Sequence, residues 1–421
     1  MKLSNLLLIT ILSLSSCKVA PIIEPITDEV CDDFEPFYET TDSSSIVLEI
    51  KCPCEMETFD LSTKLVPYAA VQSLIYECNE TQFNQIPTMP SVTNLSSKIM
   101  TGNIRAFPNL EVFRNNGIME TPIAYELISM PNLKEISLFN VTQFPDVLGT
   151  RPLEEFKITY ENSASYNISV PNNLYQLANL KELSLNNLNV TDFSNWGNLS
   201  SLENLKVINT PIIRFPNTAN QWTKMKTFEL SKVTMRGGRP NFFQYADSLE
   251  TIYLSEMEVS DNLQENIYNA PNLKSLSFSF CEMTSIPETI GKLTSLENLI
   301  ITTDENQIMS FNLPMSLSNL IHLKSIVIRT NTNSFPTAIL GLTNSLEAIT
   351  ITDEINSVPA TIGDFNILKT LKLTNCNLST LPIEIQNLAD TLERLYLAGN
   401  NFSDVKKQEI QTLLPNTSIY F

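Results

Sequence analysis

The sequence predicts an α/β repeat solenoid. This is a curved horseshoe with a parallel β-sheet on its concave face and short helical, 3₁₀ or irregular turns on its convex face. Three observations predict it. A frame of apolar residues at positions 1, 4 and 6 recurs 12 times, 20 to 27 residues apart. Many frames are followed by an apolar–Pro pair and then by apolar residues at intervals of three. A unit of this length cannot bury its own apolar side, so it must stack on its neighbours. Stacking builds one continuous core and one long exposed sheet.

The frames run from Leu133/Ile136/Leu138, through Leu273/Leu276/Phe278, to Leu392/Leu395/Leu397. Inside each, apolar residues two apart read as a short strand with alternate side chains turned inward. Val71/Leu74/Tyr76, Leu95/Met100 and Leu110/Phe113 read as degenerate repeats leading into the regular ones. Two spacings of 27 residues imply insertions near Tyr160–Ser169 and Asp304–Leu313, each bulging at one edge of the concave sheet. The convex turns begin at Ile286-Pro287, Phe335-Pro336, Val358-Pro359 and Leu381-Pro382. Proline lacks an N–H and has a fixed φ, which suits the first position of a helical turn. Apolar spacing of three suits 3₁₀ or short α turns.

This period and frame resemble the leucine-rich repeat family over most of the chain. The resemblance implies an inward Asn or Cys, eight residues after each first Leu, that bonds the turn backbone. Cys281, Asn331, Cys376 and Asn400 fall there, with Thr210 and Asp304 as polar substitutes. Val141, Leu188, Val233 and Met257 depart from that pattern. Cys281 and Cys376 read as small buried ladder residues rather than nucleophiles.

Both ends read as caps. Ser403 and Asp404 start a helix whose expected apolar face is Val405, Ile410, Leu413 and Leu414, with Lys406, Lys407 and Glu409 toward water. Pro415-Asn416 turns the chain, and Ile419-Tyr420-Phe421 adds a final strand. No apolar tail follows that would read as a membrane span or lipid-anchor signal. At the other end, Cys31, Cys52, Cys54 and Cys78 resemble the disulfide-stapled cap of extracellular leucine-rich repeat proteins, although the gap from Cys31 to Cys52 is longer than that cap usually has. Four cysteines allow three pairings. Cys52 and Cys54 are not expected to pair with each other, because their side chains diverge in an extended segment. Cys31–Cys54 with Cys52–Cys78 is the favoured arrangement, and the choice stays open. A zinc site is the rival reading, against which the CxC spacing counts.

The chain opens Met1-Lys2, runs apolar from Leu6 to Leu14, and reaches Leu14-Ser15-Ser16-Cys17. That run is too short to span a bilayer but suits a signal-peptide core. Its end resembles the lipobox of bacterial lipoproteins, which implies a lipid anchor on Cys17. An ordinary secretory signal is the alternative, and both lead out of the cytoplasm, to a secreted or surface-anchored protein. Disulfides in the cap agree with that compartment. Nine Asn-x-Ser/Thr sequons do not discriminate, since the chain is rich in all three residues. The expected domains are a signal at 1–17, an acidic stalk at 18–30, a cysteine-containing cap with degenerate repeats at 31–106, the solenoid at 107–402 and a terminal cap at 403–421.

Net charge is −19. Between Glu24 and Asp60 there are 12 acids and one base, Lys51, so the solenoid itself is only mildly acidic. A phosphate-binding surface needs a net basic face, which argues against nucleic acid as partner. Chemistry is sparse. The one histidine, His322, has no nucleophile–acid pair placed beside it, and Gly237-Gly238 is isolated. No enzyme activity and no cofactor are expected.

The concave face is therefore the expected binding surface. Its outward positions are mostly Ser, Thr, Asn, Glu or Lys. Tyr253, Ile300 and Val327 instead fall in one lateral column, interrupted by Ser277, with Phe280 nearby and Arg329 one strand position beyond Val327. Aromatic, aliphatic and Arg side chains together on a polar face have the composition of an interface hot spot. The bland reading is that β-branched and aromatic residues favour strands. Tyr160 and Tyr396 are outlying aromatic candidates. The expected function is recognition of a protein ligand or receptor. The alternative is a structural or adhesive surface protein, or an accessory subunit, that self-associates.

Overall fold

The computed structural model describes residues 37–41, 45–50, 71–76, 83–84, 86–97, 104–115, 130–140, 152–161, 174–188, 198–210, 222–234, 247–259, 264–265, 267–283, 285–303 and 313–421. The segments expected to be a signal (1–17) and an acidic stalk (18–30), with Cys17, Cys31, Cys52, Cys54 and Cys78, lie outside them. So do Asp304, Val141, the glycine pair at 237–238 and most of both insertions.

The chain is a curved repeat solenoid built on one 18-stranded sheet. Each strand pairs with the next in sequence, one per repeat. Among the described strands only Phe37–Thr41 with Ser45–Ile50 is antiparallel. From there to the last strand, Ser418–Tyr420, every ladder is parallel. The sequence frame sets the register. Ile252, Leu276, Leu299, Ile326, Ile349, Leu371 and Leu395 pair laterally in one column, and all are buried. Position 6 makes a second column with Leu254, Phe278, Ile301 and Ile328, and position 1 closes the core beneath the strand start. Burying each such side chain contributes roughly 1.5–3 kcal/mol. Every repeat shares that burial with two neighbours.

The convex turns are 3₁₀ helices at Glu288–Lys292, Met315–Asn319, Thr337–Gly341, Ala360–Asp364 and Ile383–Leu388. Proline stands one residue earlier than expected. It is the extended cap residue, and its carbonyl accepts the first bond of the turn, as from Ile290 N to Pro287 O at 3.1 Å. Its own missing N–H therefore leaves the turn intact.

The strands end in one of two ways, and this corrects two sequence readings. Inward residues alternate at positions 4 and 6, so position 8 should also turn in. In most repeats position 8 instead takes a left-handed conformation, seen at Asn187, Asn209, Lys232, Glu256, Phe280 and Asn375, and position 9 becomes the inward one. Leu188, Thr210, Val233, Met257, Cys281 and Cys376 are buried there. Where position 8 is not left-handed, simple alternation holds and position 8 is buried: Tyr160, Thr303, Thr330 and Asp353. Asn331 is thus not the ladder residue of its repeat. It is exposed at φ 54, and Thr330 takes the inward place. Tyr160 is wholly buried, so it presents no aromatic surface.

The ladder works as the resemblance implied elsewhere. Asn400 Nδ2 donates to Leu373 O at 2.7 Å, and its Oδ1 accepts from Cys376 N and Leu378 N. The Cys281 and Cys376 thiols donate to Leu254 O and Ile351 O, each at 3.4 Å. Burial pushes both thiols up to about 12, so they stay protonated at neutral pH. Asp353 carries the same role one residue early. Its carboxylate accepts from Thr330 N, Asn331 N and the hydroxyls of Thr330 and Thr332.

The terminal helix is Asp404–Leu413, with Ser403 as its N-cap. Ile410 and Leu414 are buried and Leu413 packs against the core, but Val405 is 72% exposed. Val405 lies five residues before Ile410, roughly 140° around the helix at 3.6 residues per turn. The inward positions one turn earlier hold Lys406 and Lys407, which are half-buried. Lys407 Nζ lies 5.8 Å from the Phe421 ring centre.

Leu276→Asp places a charge in the sheet-facing column. It should cost more than about 4 kcal/mol and unfold the central repeats. Circular dichroism and melting temperature unchanged from wild type would contradict the register.

Candidate functional site

Outward side chains set an ionic stretch of the concave sheet beside an uncharged one, and charge returns after it at Lys372 and Arg394. From Arg114 to Glu229 the floor is ionic. Arg114 pairs with Glu135, Lys157 with Glu155 and Glu182, and Lys206 with Glu229, at 2.9–3.0 Å. The next five strands, Thr251–Ser255, Ser275–Cys281, Asn298–Thr303, Ser325–Arg329 and Ala348–Ile351, present a single charged side chain, Arg329. Their outward residues are otherwise Ser, Thr, Ala, Asn, Tyr, Ile, Val and Phe.

The predicted residues meet in this uncharged region. Tyr253 pairs laterally with Ser277, Ser277 with Ile300, Ile300 with Val327, and Val327 with Thr350. At about 4.8 Å per strand the run from Tyr253 to Val327 spans roughly 15 Å. Arg329 pairs with Thr302 at the strand ends. Tyr253 is 36% exposed, and Ile300, Val327 and Arg329 are half-buried. Tyr396 stands apart. Thr350 and Lys372 separate it from Val327, and it stacks on Tyr420 at 4.7 Å.

Phe280 is placed by unusual means. It is 37% exposed and has φ 53. A left-handed backbone costs an ordinary side chain about 1–2 kcal/mol. Four equivalent positions, Asn140, Asn187, Asn209 and Asn375, carry asparagine, which tolerates that conformation. In those repeats the left-handed N–H donates to a carbonyl of the next strand, as from Asn209 to Ser231 O at 2.8 Å. Phe280 N donates instead to Thr302 Oγ1 at 2.8 Å, where the register shifts between Phe278 and Cys281.

Sequence reasoning passed over Ser277 as a gap in the column. Its residue is 4% exposed, and its Oγ is sealed from solvent with no hydrogen-bond partner among the described residues. An unsatisfied buried hydroxyl costs about 1–3 kcal/mol. The residue pattern gave no signal for it, because Ser is ordinary on a strand face.

A second missed feature was plain in the sequence. The residue after each first Leu alternates without a break: Glu111, Lys134, Glu154, Lys181, Glu203, Lys226, Glu250, Lys274, Glu297, Lys324, Glu347, Lys369 and Glu393. Register brings these to one rim, where six Glu–Lys pairs close at 2.7–3.1 Å. His322 lies on this rim, in a cleft of about 460 Å³ beside Glu297 and Lys324. Its Nδ1 donates to Thr294 O at 2.8 Å. The cleft's Glu250, Lys274, Glu297 and Lys324 are already paired with one another. Among the described residues no cluster of His, Cys, Asp or Glu could hold a metal ion, and no helix is long and apolar enough to cross a membrane.

The fold is that of a leucine-rich repeat solenoid. Residues 368–388 match the Leucine Rich Repeat family. A leucine-rich repeat protein of Leptospira interrogans has a similar structure, with a TM-score of 0.70 and 25% identity, covering 84% of this chain and 90% of that one. Toll of Drosophila, in its complex with Spatzle, gives a TM-score of 0.57 at 14% identity, covering 89% and 60%. A TLR13–ssRNA13 complex gives 0.59 at 17%, covering 85% and 55%. The last two likenesses concern the fold, and their different ligands illustrate that a fold does not choose a partner. Repeat match, ladder and fold together support a leucine-rich repeat protein.

The rim ladder predicts a pH dependence. Hydrogen bonds from Lys226, Lys324 and Lys369 hold the carboxyls of Glu203, Glu297 and Glu347 below their ordinary range. A carboxyl depressed by folding stabilises above its unfolded pKa, and that stability is lost as pH falls through the folded value. The melting temperature should therefore drop between about pH 5 and pH 3. Replacing the three lysines with Gln should shrink the drop, as should high salt. An identical profile in the triple variant would remove the ladder as its cause.

Proposed function

We propose that this chain is a non-enzymatic extracellular leucine-rich repeat protein that binds a protein partner on its concave face. Tyr253, Phe280, Ile300, Val327 and Arg329 are the proposed contact residues. The observation that carries this reading is the division of the concave sheet. Docking on the ionic stretch would strip water from paired charges, whose desolvation costs several kcal/mol per ion. Docking on the uncharged stretch covers hydroxyls and apolar side chains, and the one aromatic–aliphatic column lies there. Phe280 adds support, because strain held at an exposed aromatic position is a feature of ligand sites. The absence of catalysis is supported by Cys281 and Cys376, whose thiols are spent on backbone carbonyls, and by His322, whose Nδ1 is spent on Thr294.

Tyr253→Ala with Val327→Ser should leave the melting temperature within about 2 °C of wild type and weaken partner binding at least about tenfold, as for loss of two hot-spot side chains. Equal affinity in titration calorimetry would remove the patch from contention.

The extracellular placement rests on the leader and on the four cysteines before the repeats. A lipid on Cys17 is part of this proposal. Intact mass spectrometry of the mature protein from its native host should show a diacyl or triacyl modification at Cys17. An unmodified N-terminus at or after that residue would make it a secreted, unanchored protein.

A further inference from the structure

We propose that Ser277 is a concealed hydrogen-bonding subsite for an uncharged, extended polypeptide segment, opened when Tyr253 swings aside. This rests on the concave-face reading above and names what that face would hold. Ser277 Oγ has no partner among the described residues and no access to solvent. Its lateral neighbours in register are Tyr253 and Ile300, both large enough to reach over a serine. Tyr253 is exposed and so has room to move.

A hydroxyl that bonds neither protein nor water has nothing to lose when a ligand reaches it. The usual cancellation, in which a protein–ligand bond replaces two bonds to water, is halved at this atom. Ser277 is therefore primed to reward a ligand polar group, and it can both donate and accept. The floor around it narrows the ligand class. Arg329 is the one charge on the five strands, so a highly charged segment would find no array of counter-charges. Ile300 and Val327 are β-branched aliphatics. They suit an apolar side chain. Ser277 and Val327 lie two strands apart, about 10 Å, which an extended chain covers in three residues. The segment that fits has a backbone amide or carbonyl at Ser277 and an apolar side chain three residues along, over Val327.

The unsatisfied hydroxyl and the left-handed Phe280 lie three residues apart on one strand. Both are local costs in the free protein; four other repeats lower the second with asparagine, whereas Lys232 and Glu256 bear it as Phe280 does. Proteins trade stability for function at such positions. Ser277→Ala and Phe280→Asn should each raise the melting temperature and each weaken binding.

The test is to pan a displayed library of random linear dodecapeptides on the full chain, with a glycan array probed in parallel. Enriched peptides are then titrated against wild type, Ser277→Ala, Tyr253→Ala and Phe280→Asn. The expected peptides are near neutral and carry an apolar residue. They should lose about tenfold in affinity on Ser277→Ala, although that variant melts higher. Loss on Tyr253→Ala with none on Ser277→Ala would overturn the subsite and leave the concave patch standing. Wild-type affinity in all three variants would overturn both. Failure to enrich any peptide would overturn the polypeptide occupant, and glycan binding lost on Tyr253→Ala would reassign the patch to a sugar.

Discussion

Everything in this molecule depends on lateral stacking of strands in fixed register. A single repeat has a few apolar side chains and nothing of its own to cover them. Covered on both sides, the same side chains are wholly buried, as Leu276 is between Ile252 and Leu299. The stack makes each column continuous, so one repeat's position 4 always faces the next repeat's position 4. That continuity turns scattered outward residues into a surface. Tyr253, Ile300 and Val327 are far apart in sequence and become one patch only because the register cannot slip without turning apolar residues to water.

The strand ends show how the same constraint tolerates variation. A left-handed residue at position 8 delays the inward turn by one residue, and its absence lets the turn come early. Either way one polar or apolar side chain is delivered inward to close the gap between strand and convex turn. Asn400 does so late and Asp353 does so early, and both gather backbone N–H groups of the preceding repeat. Repeats of the two kinds alternate irregularly, so the inner wall stays sealed while the outer rim changes shape. Phe280 occupies such a joint, where a bulge and a hydroxyl from Thr302 hold an aromatic residue in a conformation it would not choose.

The sequence made the strands, their register, the 3₁₀ turns and the lateral patch legible, because each follows from periodicity that a reader can count. Failures arose where geometry departs from counting. Asn331 and Tyr160 were misplaced because their repeats lack the left-handed joint at position 8, and residue type marks that joint only in part, with asparagine at four of its positions and Lys232, Glu256 and Phe280 at others. Val405 was misplaced because helix phase was judged from apolarity alone, and two lysine stems took the inward positions. The unsatisfied Ser277 was invisible because solvent access depends on what flanks a residue across strands. The Glu–Lys alternation was fully legible, but the apolar frame that defines the fold does not depend on it.

That alternation gives the solenoid a parity. Neighbouring repeats are interchangeable in their apolar frame but not in their rim charge, since every Lys stands between glutamates and every internal Glu between lysines. Losing or gaining one repeat would set like charges side by side at the scar, and losing or gaining two would leave the pattern whole. The natural module of this chain is thus a pair of repeats, and its length is a quantity that changes by twos. A lineage growing by duplication would leave this trace. An engineer lengthening the horseshoe to enlarge its concave floor would do well to cut it in the same units.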